Sequence, residues 1–429
     1  MSTPLPKLTP AAIKAAYAAA RKQYAALGVD TEAALAALDT LPISLHCWQG
    51  DDVRGFEQAA DLSGSGLATT GNYPGAARTG SELRADAATA FSLIPGPVRF
   101  NLHAIYAETA GEKVDRDQLK PCHFQLWMDW AKKLGICLDF NTSFFAHPKA
   151  ASGFTLSHED PEIAKFWLRH GQACRAIAEA MGRAQKGTCI LNHWLPDGAK
   201  DSPADRWAPR HRLAAQLDKL LATKVDRRFC QDAVEGKLFG IGSEDYVVGS
   251  HEFYLAYTTS RENALLCLDM GHYHPTETIH DKISAILSFH KKILLHVSRG
   301  IRWDSDHVVI FNDDLRAVFQ ELVRGQALDR ACIALDYFDA SLNRIGAWVI
   351  GARATRKAAL AALLEPATLI RAAAARGDQG SKLALLEEAK TLPLGAVWDQ
   401  YCLRHGVAAG PAWLDTLAAY EKKVQSKRR

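Results

Sequence analysis

Residues 265–297 of this 429-residue chain read LLCLDMGHYHPTETIHDKISAILSFHKKILLHV and contain two short apolar runs that flank a segment of helical character. The runs 265–269 and 293–297 are rich in Leu, Ile and Val and hold too few polar residues for a solvated face, which is typical of strands covered on both sides. Between them, residues 276–292 carry apolar side chains at helical spacing. The stretch therefore predicts two parallel strands joined by a helix.

The same pattern recurs along the chain and predicts a closed barrel. Six further apolar runs with turn signals at their ends lie at 43–47, 98–103, 136–140, 188–193, 232–237 and 332–336. Further helices are predicted at 81–93, 161–181, 206–224 and 313–325. Eight strand–helix units are the number that closes a (β/α)8 TIM barrel, and an open doubly wound sheet is the alternative.

The barrel pattern divides the chain into three predicted parts. Residues 1–40 are an N-terminal helical segment, and residues 41–344 form the catalytic barrel. Residues 345–429 are rich in Ala, Leu, Lys, Arg and Glu and contain no convincing strand, so we expect a helical extension that makes subunit contacts.

Charge and cysteine usage narrow the class of protein. The 51 basic and 48 acidic residues give a net charge of +3. A charge this close to zero does not favour a nucleic-acid partner. No apolar stretch approaches the roughly 18 residues that a membrane helix needs, so no membrane partner is expected. The nine cysteines are odd in number and form no CxxC pair, which favours reduced thiols and a cytoplasmic protein.

Polar residues gather where the predicted strands end. They are His103, Asp139, His193, Glu235, Lys237, Asp269, His272, His296, Asp304, Asp306 and Asp336. We expect all of them to face the C-terminal end of the barrel, where catalysis takes place. A single carboxylate such as Asp139 often only caps the next helix, but five in the second half of a barrel repel one another unless cations compensate. A buried ion-pair network with Lys237 and Arg302 is the alternative to a metal centre.

Spacing divides the expected ligands into two sets. Asp304 and Asp306 project to the same side of an extended chain and form, with His272, a site of one imidazole and two carboxylates. The second set comes from four adjacent strands and consists of Glu235, Asp269, His296 and Asp336. Both sets are rich in oxygen with one nitrogen, which favours Mn²⁺ or Mg²⁺, with Zn²⁺ or Co²⁺ as alternatives.

Six motifs of the chain match a known family. They are SLHCWQGDD (44–52), GNYPG (71–75), NLHAIY (101–106), DMGHYHPTE (269–277), RWDSDH (302–307) and LDYFDAS (335–341). From near residue 10 to its C-terminus the chain resembles bacterial L-rhamnose isomerases. The resemblance implies a (β/α)8 barrel with a helical extension, a cytoplasmic homotetramer and two divalent metals.

The resemblance also implies roles for individual residues. A catalytic Mn²⁺ would bind His272, Asp304 and Asp306. A structural or substrate-anchoring Zn²⁺ or Mn²⁺ would bind Glu235, Asp269, His296 and Asp336. Further catalytic residues would be Lys237 and His103, and the pocket around the 6-methyl group of the sugar would include Ile105, Tyr106 and Phe338. Trp194, near the end of a predicted strand, is expected to form a wall of the same pocket.

The implied reaction interconverts L-rhamnose and L-rhamnulose in L-rhamnose catabolism, an intramolecular oxidation and reduction of one sugar substrate. Hydrogen would move from C2 to C1 as hydride, and a metal-bound water or hydroxide would carry the proton between O2 and O1. Lys237 would stabilise the developing negative oxygen, and His103 would act in ring opening or contact O5. Two alternatives stay open at this point: an isomerase of another aldose, and a metal-dependent nuclease, which would need a basic groove.

Overall fold

Eight parallel strands close into a barrel in the computed structural model, which describes residues 5–57, 69–240, 242–302 and 305–428. The barrel strands are β1 (Ile43–His46), β2 (Val98–His103), β3 (Cys137–Asn141), β4 (Cys189–Trp194), β6 (Cys230–Glu235), β8 (Leu265–Asp269), β9 (Ile293–Val297) and β10 (Ala331–Leu335). A separate antiparallel pair consists of β5 (Gly198–Ala199) and β7 (Tyr246–Val247). Since β1 pairs with both β2 and β10, the barrel prediction is confirmed and the open sheet is excluded.

Each of the eight predicted runs coincides with a barrel strand, and their ends differ by at most two residues. The largest difference is at β6, which ends at Glu235, so the prediction that Lys237 lies within this strand is wrong. The backbone N–H of Lys237 donates to the carbonyl of Gly249 at 3.1 Å, which draws the chain away from the neighbouring strand. Lys237 therefore belongs to the loop at the C-terminal end of the barrel.

Helices surround the strands. They are α1 (Pro10–Ala26), α2 (Thr31–Asp39), α3 (Gly80–Phe91), α4 (Gln125–Leu134), α5 (Pro161–Gln185), α6 (Trp207–Ala222), α7 (His251–Arg261), α8 (Ile279–Leu287), α9 (Asp313–Arg324), α10 (Arg344–Leu363), α11 (Ala367–Ala375), α12 (Gln379–Ala389), α13 (Leu394–Arg404) and α14 (Trp413–Lys423). Helix α8 is much shorter than the predicted 276–292. The guanidinium of Arg330 binds the carbonyls of Leu287 and His290 at 2.6 and 2.7 Å, and so holds the chain where the helix stops.

Helix α10 packs directly on the barrel. The indole N–H of Trp348 donates to the carbonyl of His46 at the end of β1, at 2.8 Å.

The division of the chain at residues 40 and 344 stays a prediction. Among the described residues no single helix is both long and apolar enough to cross a membrane, and α10 and α11 meet those criteria only as a pair bent by 54°.

A buried ion pair ties α5 to β6. Arg175 Nε lies 3.0 Å from Asp232 Oδ1, and His193 Nε2 lies 2.9 Å from the same oxygen. All three side chains are buried between the barrel and its helices. His193 is therefore on the outer side of the barrel, and the prediction that its side chain faces the catalytic end is wrong.

This ion pair gives a stability prediction. Arg175→Met leaves the Asp232 carboxylate buried without its guanidinium, and we expect the free energy of unfolding to fall by about 3–5 kcal/mol. The control is Arg183→Met, because Arg183 forms an exposed i,i+4 pair with Glu179 and should contribute about 0.5 kcal/mol or less. Urea unfolding followed by circular dichroism measures both, and equal effects would contradict the role of burial.

Candidate metal site and substrate cavity

The C-terminal ends of four neighbouring strands bring one predicted ligand set together. Glu235 and Asp269 are the last residues of β6 and β8, His296 is the next to last of β9, and Asp336 follows β10. One ligand atom from each lies within 4.8 Å of the others. The strand register explains this, because Asp269 is the direct partner of His296 across β8 and β9. The geometry is that of a site for one ion.

Three carboxylates meet at one imidazole nitrogen. His296 Nδ1 lies 3.0 Å from Asp336 Oδ2, 3.3 Å from Glu235 Oε2 and 3.6 Å from Asp269 Oδ2. A single N–H cannot serve three acceptors, and buried carboxylates repel one another without a cation. The donor set therefore fits a divalent metal ion bound through oxygen and nitrogen.

The shifted pKa values of the cluster also indicate an excess of negative charge that a bound cation would compensate. Burial lowers the pKa of His296, but the surrounding acidic groups outweigh it and hold the value well above its usual range. Burial raises the pKa of Asp336 to about 6 although His296 opposes it. For Glu235 burial also acts upward, but His296 and His272 hold the pKa below its usual value.

Neighbouring donors orient the carboxylates. The indole N–H of Trp48 donates to Asp336 Oδ1 at 3.0 Å. Ser298 Oγ and the backbone N–H of Gly271 both donate to Asp269 Oδ1 at 2.6 Å. These bonds occupy one oxygen of Asp336 and one of Asp269 and leave the other oxygen of each facing His296. Such outer contacts are typical of metal sites, where they fix ligand orientation.

The second predicted set is described for two of its three residues. His272 Nδ1 lies 3.1 Å from Glu235 Oε1, so the two sets adjoin at Glu235. Asp306 and His272 both line the cavity beside the cluster. Asp304 lies outside the described residues.

The prediction of an extended conformation for residues 304–306 is wrong at Asp306. Its φ is 47°, in the left-handed region, and its carbonyl accepts a hydrogen bond from the Phe338 N–H at 3.2 Å. The backbone therefore turns at Asp306 toward the loop after β10. Asp306 still reaches the cavity, and the expectation that Asp304 projects to the same side stays a prediction because Asp304 lies outside the described residues.

The cavity beside the cluster has an aromatic side and a polar side. Its lining consists of Trp48, Val53, His103, Asn141, Phe145, Asn192, Trp194, Glu235, His272, Asp306, Asp336 and Phe338. The rings of Trp48 and His103 are 4.7 Å apart, and those of Phe145 and Trp194 are 5.8 Å apart. Polar groups of the metal cluster face this aromatic wall, an arrangement typical of a small-molecule site.

The predicted pocket residues divide into two groups. His103, Trp194 and Phe338 line the cavity, and the buried Lys237 places Nζ 5.4 Å from the centre of the Trp194 ring. Among the described residues, the lining does not include Ile105 or Tyr106.

Ile105 and Tyr106 lie behind the loop that follows β1. The Tyr106 hydroxyl donates to Asp51 Oδ1 at 2.6 Å, and the carbonyl of Ile105 accepts from the Phe56 N–H at 2.8 Å. Both side chains are buried. They support the loop that carries Val53, a cavity residue that the sequence analysis missed.

His103 is a neutral side chain at the edge of the cavity. Burial lowers its pKa to about 3. Its Nδ1 lies 3.2 Å from Ser143 Oγ. At neutral pH the ring therefore offers one N–H donor and one nitrogen acceptor rather than a positive charge.

Two further cavity residues were also missed. Asn141 ends β3, so the rule that found His103 at the end of β2 would also have found it. Phe145 lies in the loop after β3, and its sequence context carries no signal.

Asp139 lies away from the cavity. It pairs with Arg99 at 2.7 Å and accepts from Ser44 Oγ at 2.7 Å, within the amino-terminal half of the barrel. The expectation that Asp139 faces the catalytic end is therefore wrong.

Comparison with known proteins identifies the family. Residues 11–428 match the family model described as L-rhamnose isomerase (RhaA). The chain belongs to the L-rhamnose isomerase family. The L-rhamnose isomerase of Rhodopirellula baltica is 57% identical over 416 residues, which cover 97% of each chain. That of Mannheimia succiniciproducens is 56% identical over 97% of this chain and 99% of its own.

Membership in the L-rhamnose isomerase family confirms the resemblance predicted from the sequence motifs. L-rhamnose isomerases are metal-dependent aldose–ketose isomerases, which belong to the intramolecular oxidoreductases. Among solved structures, an L-ribulose 3-epimerase superposes with a TM-score of 0.50 over 77% of this chain and 98% of its own. At 14% identity that likeness shows the barrel fold alone.

Proposed function

We propose that the protein interconverts L-rhamnose and L-rhamnulose in L-rhamnose catabolism. The observation that carries the proposal is the cluster of Glu235, Asp269, His296 and Asp336 at the side of an aromatic-walled cavity, in a chain of this family. An aldose has adjacent oxygens that divalent ions bind, and an apolar end that aromatic rings contact. The cavity offers partners for both.

Two ions are expected, a Mn²⁺ on His272, Asp304 and Asp306 and a Zn²⁺ or Mn²⁺ on the four-residue cluster. When bound, such ions would supply Lewis acidity to the oxygens of the sugar and would make a proton easier to transfer between them. Lys237, buried beside Trp194, places a positive charge near the oxygen that becomes negative.

The hydrogen on C2 would move directly to C1 as hydride. A route through an enediol needs a free base at C2. The carboxylates of the cavity are used as metal ligands in this proposal, and a bound cation makes a carboxylate a weaker base. His103 is assigned to ring opening or to contact with O5, because its neutral ring can accept from a hydroxyl.

The aromatic wall would meet the 6-methyl group of L-rhamnose. Phe338 and Trp194 line the cavity directly, and Ile105 and Tyr106 would act from behind the loop after β1. Loss of a methyl contact in an apolar pocket changes kcat/KM by about 10- to 200-fold.

This pocket predicts the order of substrates. L-Mannose carries a hydroxyl on C6 and L-lyxose lacks C6, so both should react at about 10- to 200-fold lower kcat/KM than L-rhamnose rather than be rejected. Ketose formation measured for each sugar at one fixed Mn²⁺ concentration gives the ratios. Equal kcat/KM for all three sugars would contradict the methyl contact.

A wider panel of aldoses tests the proposed function itself. The holoenzyme is incubated with L-rhamnose, D-xylose, D-glucose and other aldoses in the presence of Mn²⁺, and the ketose is measured. The proposal expects L-rhamnose to have the highest kcat/KM. Preference for D-xylose or D-glucose would assign the chain to the isomerisation of another aldose.

A cytoplasmic homotetramer is also proposed. The family resemblance supports the compartment and the subunit number. Large exposed apolar side chains such as Phe289 (82% exposed) and Trp207 (75% exposed) support contacts between subunits. The extension 345–429 would contribute to the contacts. Light scattering coupled to size exclusion measures the subunit number, and a monomer would contradict this assignment.

A further inference from the structure

Arg116 is a buried arginine that lies outside the cavity lining. It begins the short 3-10 turn Arg116–Gln118 between β2 and α4 and is 2% exposed. Its Nε and one Nη2 hydrogen are directed at Glu57, at 3.0 and 2.8 Å. The remaining guanidinium hydrogens go to the carbonyls of Ser143, Phe145 and Ala146. All five donors of the side chain are therefore used.

The three carbonyls belong to the loop after β3, which forms one side of the cavity. Ser143 Oγ lies 3.2 Å from His103 Nδ1, and the ring of Phe145 is 5.4 Å from that of His103. Phe145 also packs against Trp194. Because one guanidinium binds three carbonyls in a four-residue segment, it fixes where Ser143 and Phe145 stand relative to His103.

Glu57 connects the same arginine to the loop after β1. In that loop Phe56 packs on Tyr106 with ring centres 5.3 Å apart, and Val53 lines the cavity. Arg116 thus joins two loops that flank the cavity. A lysine could not replace it, since an ammonium has three donors and no planar fork.

His170 fixes the distance between Arg116 and Ser143. Its Nε2 accepts from the Ser143 N–H at 3.0 Å, and its Nδ1–H donates to the carbonyl of Arg116 at 3.1 Å. Both nitrogens are used, and burial lowers the pKa of His170 to about 3, so the ring stays neutral. The arginine and the loop after β3 are therefore held together through backbone and side chain.

We propose that Arg116 is a positioning residue of the isomerase. By holding residues 143–146 it keeps Ser143 Oγ within hydrogen-bond distance of His103 Nδ1, and this contact orients the His103 ring toward the sugar. The inference rests on the role proposed above for His103. It assigns no contact between Arg116 and substrate or metal.

A double-mutant cycle separates positioning from a purely structural role. The variants are Arg116→Lys, His103→Asn and both together, assayed as metal-loaded proteins with the aldose that the wild type converts fastest. Misplacement of a group at the reacting centre by a mutation farther away can cost about 100-fold, and we expect Arg116→Lys to lower kcat/KM by about 10- to 100-fold with unchanged metal content. In the His103→Asn background the same change should lower kcat/KM by less than about threefold, because the residue it positions is gone.

The matched control is Arg169→Lys. Arg169 binds Asp117 of the same 3-10 turn at 2.6 Å, but at the exposed side, so its kcat/KM should stay within about twofold of wild type. If Arg116→Lys does not fold, Glu57→Gln replaces it in the cycle, because it weakens the same clamp and keeps the side-chain shape. We expect a smaller loss that again disappears without His103.

The outcomes are distinct. Equal fold losses in both backgrounds, or no loss from Arg116→Lys, would overturn the positioning role. Wild-type kcat/KM in His103→Asn alone would overturn the role proposed for His103 and with it this inference. Failure to convert L-rhamnose would overturn the proposed substrate, while the cycle on another aldose would still test Arg116.

Discussion

Dialysis of the protein against EDTA is expected to lower kcat for L-rhamnose isomerisation by at least about 10³-fold, because bound divalent ions supply several kcal/mol of charge stabilisation. Three carboxylates converge on His296 within 3.6 Å, and they lose their compensating charge when the ion leaves. Added Mn²⁺ should restore kcat. The melting temperature should rise with it, since an ion that binds only the folded chain stabilises it by about 2.7 kcal/mol at 100 times its Kd.

Elemental analysis of the dialysed protein provides the control. Activity should follow the measured metal content and not the time of exposure to EDTA. Full activity in protein shown to be free of metal would contradict a metal-dependent reaction. Because the ligands bind in their deprotonated forms, metal affinity should also fall as the pH is lowered.

Glu235→Gln should have the second large effect. Glu235 is the residue at which the two proposed metal sets adjoin, with Oε1 3.1 Å from His272 and Oε2 3.3 Å from His296. Glutamine keeps the shape but removes one negative charge from the cluster. We expect kcat/KM to fall by about 10³-fold and the metal content to fall, as several kcal/mol of metal-based stabilisation are lost.

The control for this variant is Glu179→Gln on the exposed side of α5. Within the described part of the chain Glu179 forms its ion pair with the half-exposed Arg183, and its loss should change kcat/KM by less than about twofold. Wild-type activity in Glu235→Gln together with full metal content would contradict the ligand role of Glu235. Circular dichroism and the melting temperature show whether a loss of activity comes from unfolding instead.

The barrel could be predicted because its strands are covered on both sides. A strand in this setting is a short apolar run, and eight such runs alternating with helices favour one topology. The four-residue cluster followed from the same pattern, since Glu235, Asp269, His296 and Asp336 end or nearly end neighbouring strands. The ends of parallel strands meet in space whatever the intervening loops do.

The same burial explains the error at His193. Successive residues of a strand face opposite sides, so the placement of His193 depends on a choice between the interior of the barrel and its helices. In a half-exposed strand polarity decides that choice, but both sides of a barrel strand are apolar. His193 faces Asp232 and Arg175 outside the barrel. The error at Asp139 has a different cause: its side chain faces the interior, but Asp139 is the middle residue of β3 and pairs with Arg99 near the start of β2, so it lies too far from the C-terminal end.

The backbone conformation of loop residues could not be predicted from the sequence, because long-range contacts accompany it. Phe145 lines the cavity, and its carbonyl accepts a hydrogen bond from Arg116, 29 residues earlier. Asp306 adopts a positive φ where its carbonyl meets the N–H of Phe338, 32 residues later. Neither contact has a local signature in composition or periodicity.

The most direct test of the proposed reaction follows the hydrogen on C2 of L-rhamnose. The holoenzyme is given [2-²H]-L-rhamnose in ordinary water, and the product of a single turnover is analysed by NMR. A direct hydride shift predicts that deuterium is kept at C1 of L-rhamnulose, with a primary isotope effect when the transfer limits the rate. Loss of most of the label to water would contradict the hydride route and show that a base removes the C2 proton.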